Sequence, residues 1–450
     1  MSKNVVFINP PLKNKRKLMR NFDCATESKG NYFLQPYDFL LLSAKVPKEW
    51  NFSFIDCIAE DINSESLISR LQSNVPDIVV MALADSSWDD DFQTLQSLNE
   101  LINSDNIYLF GDAFFDAHTS KKVAPFCNGL IASPYTFSFK KLNTVSTYNN
   151  TPSKTLEKFS IGIPRHEHFL NSAYRWPFSK SFKYTTVFIS WGCPYSCEYC
   201  IMSQFPNFVR SEDEIYDEIN YIVKELKINE IYIGDRSFGL PKDLIFNLLN
   251  KIISNNLKFN WSCYFHPNQY DEELLNLMKK SGCHTIIIGI ESKDLSFLKN
   301  FKRHCKEGHL EKLLSQCRNL NIKVCADFIF GLPGQSKQEI LDTINYSRSI
   351  PIDYASFNIA APLAGTNIRE LAKQKLNTKN IHHYDSLGKS NVVSVCDISA
   401  NELIQLRNLA VKKFYFRWNY LLKRVLSIRT TQQFIIQFQE MLGIFKKAKD

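Results

Sequence analysis

Short apolar runs closed by turn residues recur through the first part of the chain, at residues 5–8, 52–55, 77–81, 107–110 and 130–131. Each has the composition of a short buried strand. Between them, residues 64–71 and 92–101 repeat apolar positions at intervals of three and four, the period of a helix face. This alternation predicts a doubly wound parallel sheet over residues 1–140, with ligands at the carboxyl ends of its strands. Residues 141–184 lose the period and gain Asn, Ser, Thr and Pro, which reads as a linker or a meandering wrap. The alternation returns at Tyr184. Strands are expected at 185–190, 230–233, 259–263, 284–288, 323–330 and 354–358, and helices at 211–226, 242–254, 271–281, 308–319 and 337–348. Such repeats predict a parallel barrel, whole or partial, over residues 185–380, with its site at the carboxyl rim. Residues 381–450 read as helical, with aromatic and basic side chains interleaved. The fold class is therefore α/β: an N-terminal doubly wound, Rossmann-like sheet, a central partial TIM-type (β/α)6 barrel and a C-terminal helical tail.

The chain has 450 residues, room for roughly two to four domains. Its 44% hydrophobic and 22% charged residues are ordinary for a globular protein, which excludes disorder as the main theme. The apolar run at 285–290 is far short of the ~20 residues of a membrane span. The N-terminal apolar stretch breaks at Asn9-Pro10-Pro11, too early for a secretory leader. The net charge is +8, yet residues 403–450 hold ten Lys and Arg against only Glu440 and Asp450. The excess is thus a local basic face at the C-terminus. It fits a solvated helix, or an interfacial helix touching anionic lipid. A nucleic-acid patch has no accompanying motif, so no nucleic-acid partner is expected.

Twelve cysteines in a chain of this length do not suggest a disulfide scaffold. Three are clustered in Trp191-Gly192-Cys193-Pro194-Tyr195-Ser196-Cys197-Glu198-Tyr199-Cys200. The spacing is C-x3-C-x2-C, directly after a strand, and Gly192 and Pro194 suit a tight turn. Three thiolates on one short loop can face one point. Cubane iron–sulfur clusters are held by cysteine thiolates, normally four. With three, one iron stays open to a small chelating ligand. A structural zinc would want four closed ligands, and no fourth Cys or His follows within ~20 residues.

These residues resemble the radical S-adenosylmethionine (SAM) superfamily, whose loop carries an aromatic before the last cysteine, here Tyr199. The resemblance covers residues 185–366. It implies a 4Fe–4S cluster on Cys193, Cys197 and Cys200, with S-adenosylmethionine chelating the open iron. One-electron cleavage of that cofactor would yield a 5′-deoxyadenosyl radical that abstracts hydrogen. Tyr199 is then expected against the adenine. Gly234 and Asp235, after the second barrel strand, fall where the family places a turn near the methionine amino group, although the usual Gly-Gly-Glu is replaced by Gly234-Asp235-Arg236. Gly289, Glu291 and Ser292 follow the fourth strand, and Glu291 resembles the residue holding the cofactor's polar part. Gly331 and Pro333, after the fifth, resemble a bend that lets backbone approach a ligand. Each also has a plain structural reading, such as a helix cap or a loop.

The whole layout resembles the branch of that superfamily with an N-terminal cobalamin-binding domain, with Asn9 and Pro10 after the first strand as part of the match. That branch implies cobalamin and methylation or related carbon–carbon bond chemistry on a small-molecule or lipid-like substrate. It also implies a low-potential electron donor such as flavodoxin or ferredoxin. Departures leave a degenerate, purely structural domain open. Asp116-Ala117-His118 follows the fourth strand and lacks the glycine of a cobalt-ligating motif. Gly111-Asp112 and Ser133-Pro134 stand where Gly-Gly and Gly-Glu are usual. A methylthiotransferase would need a second cluster, for which Cys24, Cys57 and Cys127 are available in number only. An iron–sulfur electron carrier or sensor is the non-enzymatic alternative. Asn358, His382, His383 and Tyr384 are further residues near the expected barrel mouth. An oxygen-sensitive cluster implies a cytoplasmic setting, with membrane contact through the basic tail.

Overall fold

The computed structural model describes residues 2–14, 16–22, 26–27, 33–139, 156–377, 381, 392–426 and 435. Five strands make the N-terminal sheet: β1 (Asn4–Asn9), β2 (Asn51–Asp56), β3 (Ile78–Ala82), β4 (Ile107–Phe110) and β5 (Gly129–Leu130). All pair in parallel, in the order β2-β1-β3-β4-β5. This is a flavodoxin-like order, whose direction reverses between β1 and β3, the place where such sheets bind ligands. Helices α1 (Tyr37–Ser43), α2 (Ser64–Gln72), α3 (Trp88–Leu101) and α4 (Ala117–Val123) accompany it. Asn63 caps α2 through its side chain, accepting from the Ser66 N–H.

Six strands make the second sheet: β6 (Thr185–Val187), β7 (Glu230–Phe238), β8 (Asn260–Phe265), β9 (Cys283–Glu291), β10 (Lys323–Phe330) and β11 (Tyr354–Ile359). They pair in sequence order, every pair parallel. Between them run α5 (Glu212–Lys224), α6 (Lys242–Ser254), α7 (Glu272–Lys280), α8 (His309–Asn319) and α9 (Lys337–Ser349). α10 (Asn367–Leu376), α11 (Ala400–Tyr415) and α12 (Trp418–Leu426) follow β11.

The two-residue period of a strand sorts the barrel's side chains. Val187, Ile231, Ile233, Cys263, Ile286, Ile288, Ala326, Phe328 and Phe357 point outward and form one buried core with the helices. The alternate residues face the lumen. At its floor Trp176 stacks on Tyr232 with ring centroids 3.9 Å apart, and donates its indole N–H to Ser262 Oγ at 2.7 Å. The stretch read as a linker or wrap therefore contributes a plug. It also supplies Leu156–Lys158, which pairs in parallel with Asn207–Val209. The helical tail begins as part of the barrel: Leu403, Leu406, Ala410 and Phe414 of α11 are buried in the outer core, and the Tyr415 hydroxyl donates to the Ala355 carbonyl at 2.7 Å.

Candidate functional site

The chain leaves β6 and turns sharply into the cysteine loop. Gly192 makes the turn with φ of +85°, and a Cβ there would strike the Pro206 carbonyl and Asn207, so a side chain is excluded on both counts. Asp235 pins the strand before the turn. Its buried carboxylate accepts from the Ile189 N–H at 2.8 Å, the Ser190 N–H at 3.0 Å and the Ser190 hydroxyl at 2.6 Å. Burial raises its pKa to about 6, opposed by those bonds. Asp235 thus holds the strand that leads into the loop. Gly234 next to it makes room for the Phe188 ring.

Beyond the turn, the Glu198 N–H donates to the Phe301 carbonyl at 3.0 Å, and Glu198 pairs with Lys302 at 2.7 Å. A segment after β9 therefore embraces the loop. Cys193, Cys197 and Cys200 lie close enough that Cys193 and Cys197 each influence the ionisation of Cys200. Burial pushes Cys193 up to about 11 and Cys200 up to about 12, and raises Cys197. The guanidiniums of Arg236 and Arg303 work against that rise at Cys193. Among the described residues, no three His, Cys, Asp or Glu side chains close around a single ion. A cluster with one cysteine on each of three irons asks for thiols spread around it.

Glu291 ends β9 in the left-handed region, φ +65°, and is buried. A Cβ on Gly289 would overlap the Glu291 carboxylate and crowd Arg303, so the glycine permits this close approach. Arg303 donates to the Gly289 carbonyl. Although burial lowers its pKa, Tyr199, Glu291 and Cys197 together raise it. Tyr199, Cys197, Glu291 and Arg303 thus form one charged cluster at the rim. Tyr199 also packs beside Phe297 and Phe301. His266, past the end of β8, stacks on Tyr195 with centroids 3.8 Å apart. Its Nδ1 accepts from the Asn268 N–H at 3.0 Å, which assigns the ring proton to Nε2. That buried nitrogen has no partner among the described residues. Burial, and then Arg303, lower the pKa of His266 to about 2.

The other expected residues are placed differently. The buried Ser292 hydroxyl accepts from the Asp294 N–H at 3.2 Å and meets Thr343 Oγ1 at 3.4 Å, so it organises the turn after β9. Gly331, with φ of +83°, donates its N–H to Gln335 Oε1 at 2.7 Å and lies against Leu403 of α11. Pro333 follows in the same half-buried bend. Asn9 is fully buried: its amide donates to Asp56 at 2.8 Å and accepts from Arg20 at 2.8 Å. The Pro10 carbonyl also accepts from Arg20, at 3.0 Å. Arg20 in turn makes a two-pronged pair with Asp91 at 2.9 and 2.6 Å. Asn9 and Pro10 thus take part in an internal polar network at the carboxyl end of β1. His118 is exposed on α4, as a surface histidine would be. His382, His383 and Tyr384 lie outside the described residues.

Sequence reasoning missed Arg303, Arg236 and His266 as part of the site. None stands in a spacing pattern; only the sequence position of Arg236, in place of an expected glutamate, signalled it.

Residues 187–347 match the Radical SAM superfamily. The chain is 24% identical over 417 residues to an uncharacterized methyltransferase of Pyrococcus horikoshii, covering 87% of this chain and 90% of that one. Its fold is similar to the solved TsrM of Kitasatospora setae, described as a radical S-adenosylmethionine methyltransferase with cobalamin and a [4Fe-4S] cluster bound: TM-score 0.60, 15% identity, 85% and 76% of the two chains. It is also similar to OxsB, described as a cobalamin-dependent S-adenosylmethionine radical enzyme: TM-score 0.63, 14% identity, 99% and 72% coverage.

Proposed function

We propose, from the premise that this chain belongs to the radical SAM superfamily through residues 187–347, that it is a cobalamin-using radical SAM enzyme. It would methylate, or otherwise remake a carbon bond in, a small-molecule or lipid-like substrate. The observation that carries the reading is the loop itself: three thiols at the carboxyl rim, Cys197 buried and Cys193 and Cys200 half-buried, with Arg236 and Arg303 bearing on them. The donor set fits a cluster. The raised thiol pKa values mean that binding releases protons, and the two guanidiniums favour the thiolates that remain.

When bound, cluster and S-adenosylmethionine supply reductive sulfonium cleavage and hydrogen-atom abstraction, and cobalamin supplies a methyl carrier. The chain supplies position and environment. Cys193, Cys197 and Cys200 would hold the cluster; Asp235 fixes the strand that presents them. Glu291 offers a buried carboxylate to hydroxyl or ammonium groups beside the Arg303 guanidinium, and Tyr199 offers a ring face. His266 offers a neutral Nε2–H donor, since its lowered pKa keeps it uncharged. Trp176 and Tyr232 close the lumen floor against water.

For cobalamin, support comes from the cofactors named with TsrM and OxsB and from the sheet's switch point. There the buried Ser86 hydroxyl, just beyond β3, has no partner among the described residues, which suits a polar contact with a ligand. Gly111 offers no cradle, because a Cβ there would meet the Leu83 backbone. Anaerobic reconstitution with iron, sulfide and hydroxocobalamin, then desalting and metal analysis, tests the reading. About four irons and one cobalt per chain are expected. Iron without cobalt would leave the radical chemistry and reduce the N-terminal sheet to a scaffold. Zinc without iron would overturn the reading.

The cysteines do not supply a methylthiotransferase's second cluster: Cys57 and Cys127 are buried in the core of the N-terminal sheet, and Cys24 lies outside the described residues. A pure electron carrier would bind iron yet leave S-adenosylmethionine intact under strong reductant. An oxygen-sensitive cluster goes with a cytoplasmic setting and a flavodoxin- or ferredoxin-like donor.

Among the described residues no helix is long and apolar enough to cross a membrane. α12 nevertheless exposes Trp418 (80%), Leu422 (53%) and Leu426 (65%). Positions four apart share a helix face, so these form an apolar stripe within the basic C-terminal region. We place that stripe on anionic lipid. Co-sedimentation with phosphatidylglycerol vesicles is expected, with little on phosphatidylcholine. The triple variant Trp418→Ala, Leu422→Ser, Leu426→Ser should lose it. Equal binding to both vesicles, or to neither, would remove the membrane from the picture.

A further inference from the structure

The segment after β9 runs as a strap over the outside of the cysteine loop and is tied at three places. The Lys293 N–H donates to Thr343 Oγ1 on α9 at 3.2 Å. The Phe301 carbonyl accepts from the Glu198 N–H on the loop at 3.0 Å. Farther on, Asn268 accepts from the Lys306 N–H at 2.7 Å and donates to the His304 carbonyl at 3.0 Å. Leu298, Phe301 and Arg303 are buried on the inner side, where Arg303 donates to the Gly289 carbonyl and acts on Cys197. Lys293, Leu295, Lys299, Lys302, His304 and Lys306 are exposed on the outer side.

Residues 293–306 hold four Lys and Arg303 against Asp294 alone. Asp294 is engaged in the strap itself, accepting from the Ser296 and Phe297 N–H groups at 2.8 and 3.0 Å. Glu307, also exposed, follows directly. Lys302 pairs with Glu198 at 2.7 Å, while Lys293, Lys299 and Lys306 make no ion pair among the described residues. A basic stretch is usually just a solvated face. This one differs in its position. The Phe301 carbonyl is one hydrogen bond from the Glu198 amide nitrogen, and the peptide bond joins that nitrogen to Cys197. The lumen side of the loop is where S-adenosylmethionine and substrate are seated in the radical SAM reading, and a folded protein does not enter a barrel lumen. The strap therefore gives a macromolecule a short outside approach to the thiols.

We infer that the outer face of this strap, with Lys293, Lys299, Lys302 and Lys306, receives an acidic one-electron carrier protein of the ferredoxin or flavodoxin class. This rests on the radical SAM reading, which supplies the electron acceptor. One electron leaves the reduced carrier, which is oxidised, and the metal site is reduced by that electron; no bond forms or breaks at the surface. Complementary charge steers such encounters and fixes their orientation. Contacts between electron carriers are small, under about 1,200 Å², so a strap and its flanks are enough.

The test uses the reconstituted holoenzyme and two acidic carriers, a plant-type [2Fe–2S] ferredoxin and a flavodoxin, each reduced before mixing. Stopped-flow absorbance follows reduction of the enzyme's chromophore. With at least one carrier, the bimolecular rate at low salt is expected to fall about tenfold or more in the variant Lys293→Glu, Lys299→Glu, Lys306→Glu, the scale of electrostatic steering. Added salt should slow the wild type and change the variant little. Carbodiimide cross-linking read by peptide mass spectrometry, which needs no turnover, should join carrier carboxylates to lysines of residues 293–306. Iron content, melting temperature, S-adenosylmethionine affinity and the extent of reduction by dithionite should stay at wild-type values. Lys412→Glu, Lys413→Glu, on the exposed basic side of α11, is the control and should keep the wild-type rate. No reduction by either carrier, equal rates in wild type and triple variant, cross-links confined to other regions, or a loss in the α11 variant instead overturns the inference. A preparation that takes up no iron, or that dithionite does not reduce, is a failure of the radical SAM reading and removes the acceptor as well; the same sample reports it separately.

Discussion

Replacement of Cys193, Cys197 or Cys200 by alanine, one at a time, is expected to drop iron after anaerobic reconstitution from about four atoms per chain to below about one. The brown chromophore and reductive cleavage of S-adenosylmethionine should go with it. The effect is near all-or-none because each of the three thiolates would hold its own iron. Glu291 is held in a cluster with Arg303 and Tyr199. Folding should survive. The loop's shape depends on the Gly192 turn, the Asp235 bonds and the Glu198–Phe301 contact, none of which uses a thiol. Cys305→Ala is the control, a half-buried thiol outside the loop that should keep full iron. A cysteine variant that retains four irons would remove the loop from the metal site. A control that loses them would show that thiol number, not position, had been measured.

The cysteine loop was legible because metal chemistry fixes residue type and spacing together. The barrel was legible for a different reason: its strands bury their outward rows, so each reads as an apolar run, and the helices between them carry a one-sided period. α1 escaped because all seven of its residues, Asp38 and Ser43 included, are buried; a helix with no exposed face has no one-sided period to detect. The bonds of Asp235 were not legible because sequence shows that a carboxylate lies late in a strand, not which way it faces. β7 runs past Gly234 as far as Phe238, and that extension turns Asp235 toward the strand before the cysteines. Arg303 left no trace because its position arises from the fold-back of the segment after β9. Asn9 was read at the right edge of the right sheet. Its full burial depends on Arg20, which reaches it from a stretch that carries no periodic signal.

Replacing Arg210 by methionine is expected to cost about 3–5 kcal/mol of stability, the range for stranding one partner of a buried ion pair. Arg210 and Glu218 are both fully buried and 2.5 Å apart. The guanidinium also donates to the Phe188 carbonyl at 2.9 Å, directly before the cysteine turn. On its other side Glu218 meets His166 Nε2 at 3.0 Å, and His166 Nδ1 meets Thr185 Oγ1 at 2.7 Å. One network thus joins α5, the wrap, β6 and the approach to the metal loop. Burial alone would raise the Glu218 pKa, but Arg210 and His166 outweigh it and hold it below the ordinary value. A carboxyl depressed in the folded state contributes stability above its unfolded pKa and loses it as pH falls through the folded one. The wild type should therefore lose this contribution only on acidification below the usual glutamate range. In Arg210→Met the depression goes, so the loss should begin at higher pH. Urea unfolding across pH measures both effects. The double variant Arg210→Met, Glu218→Leu should recover part of the loss at neutral pH, because it strands no charge. If the single variant unfolds within about 1 kcal/mol of wild type, the pair is not the tie it is taken for, and the loop must be held by Asp235 and the Phe301 contact alone.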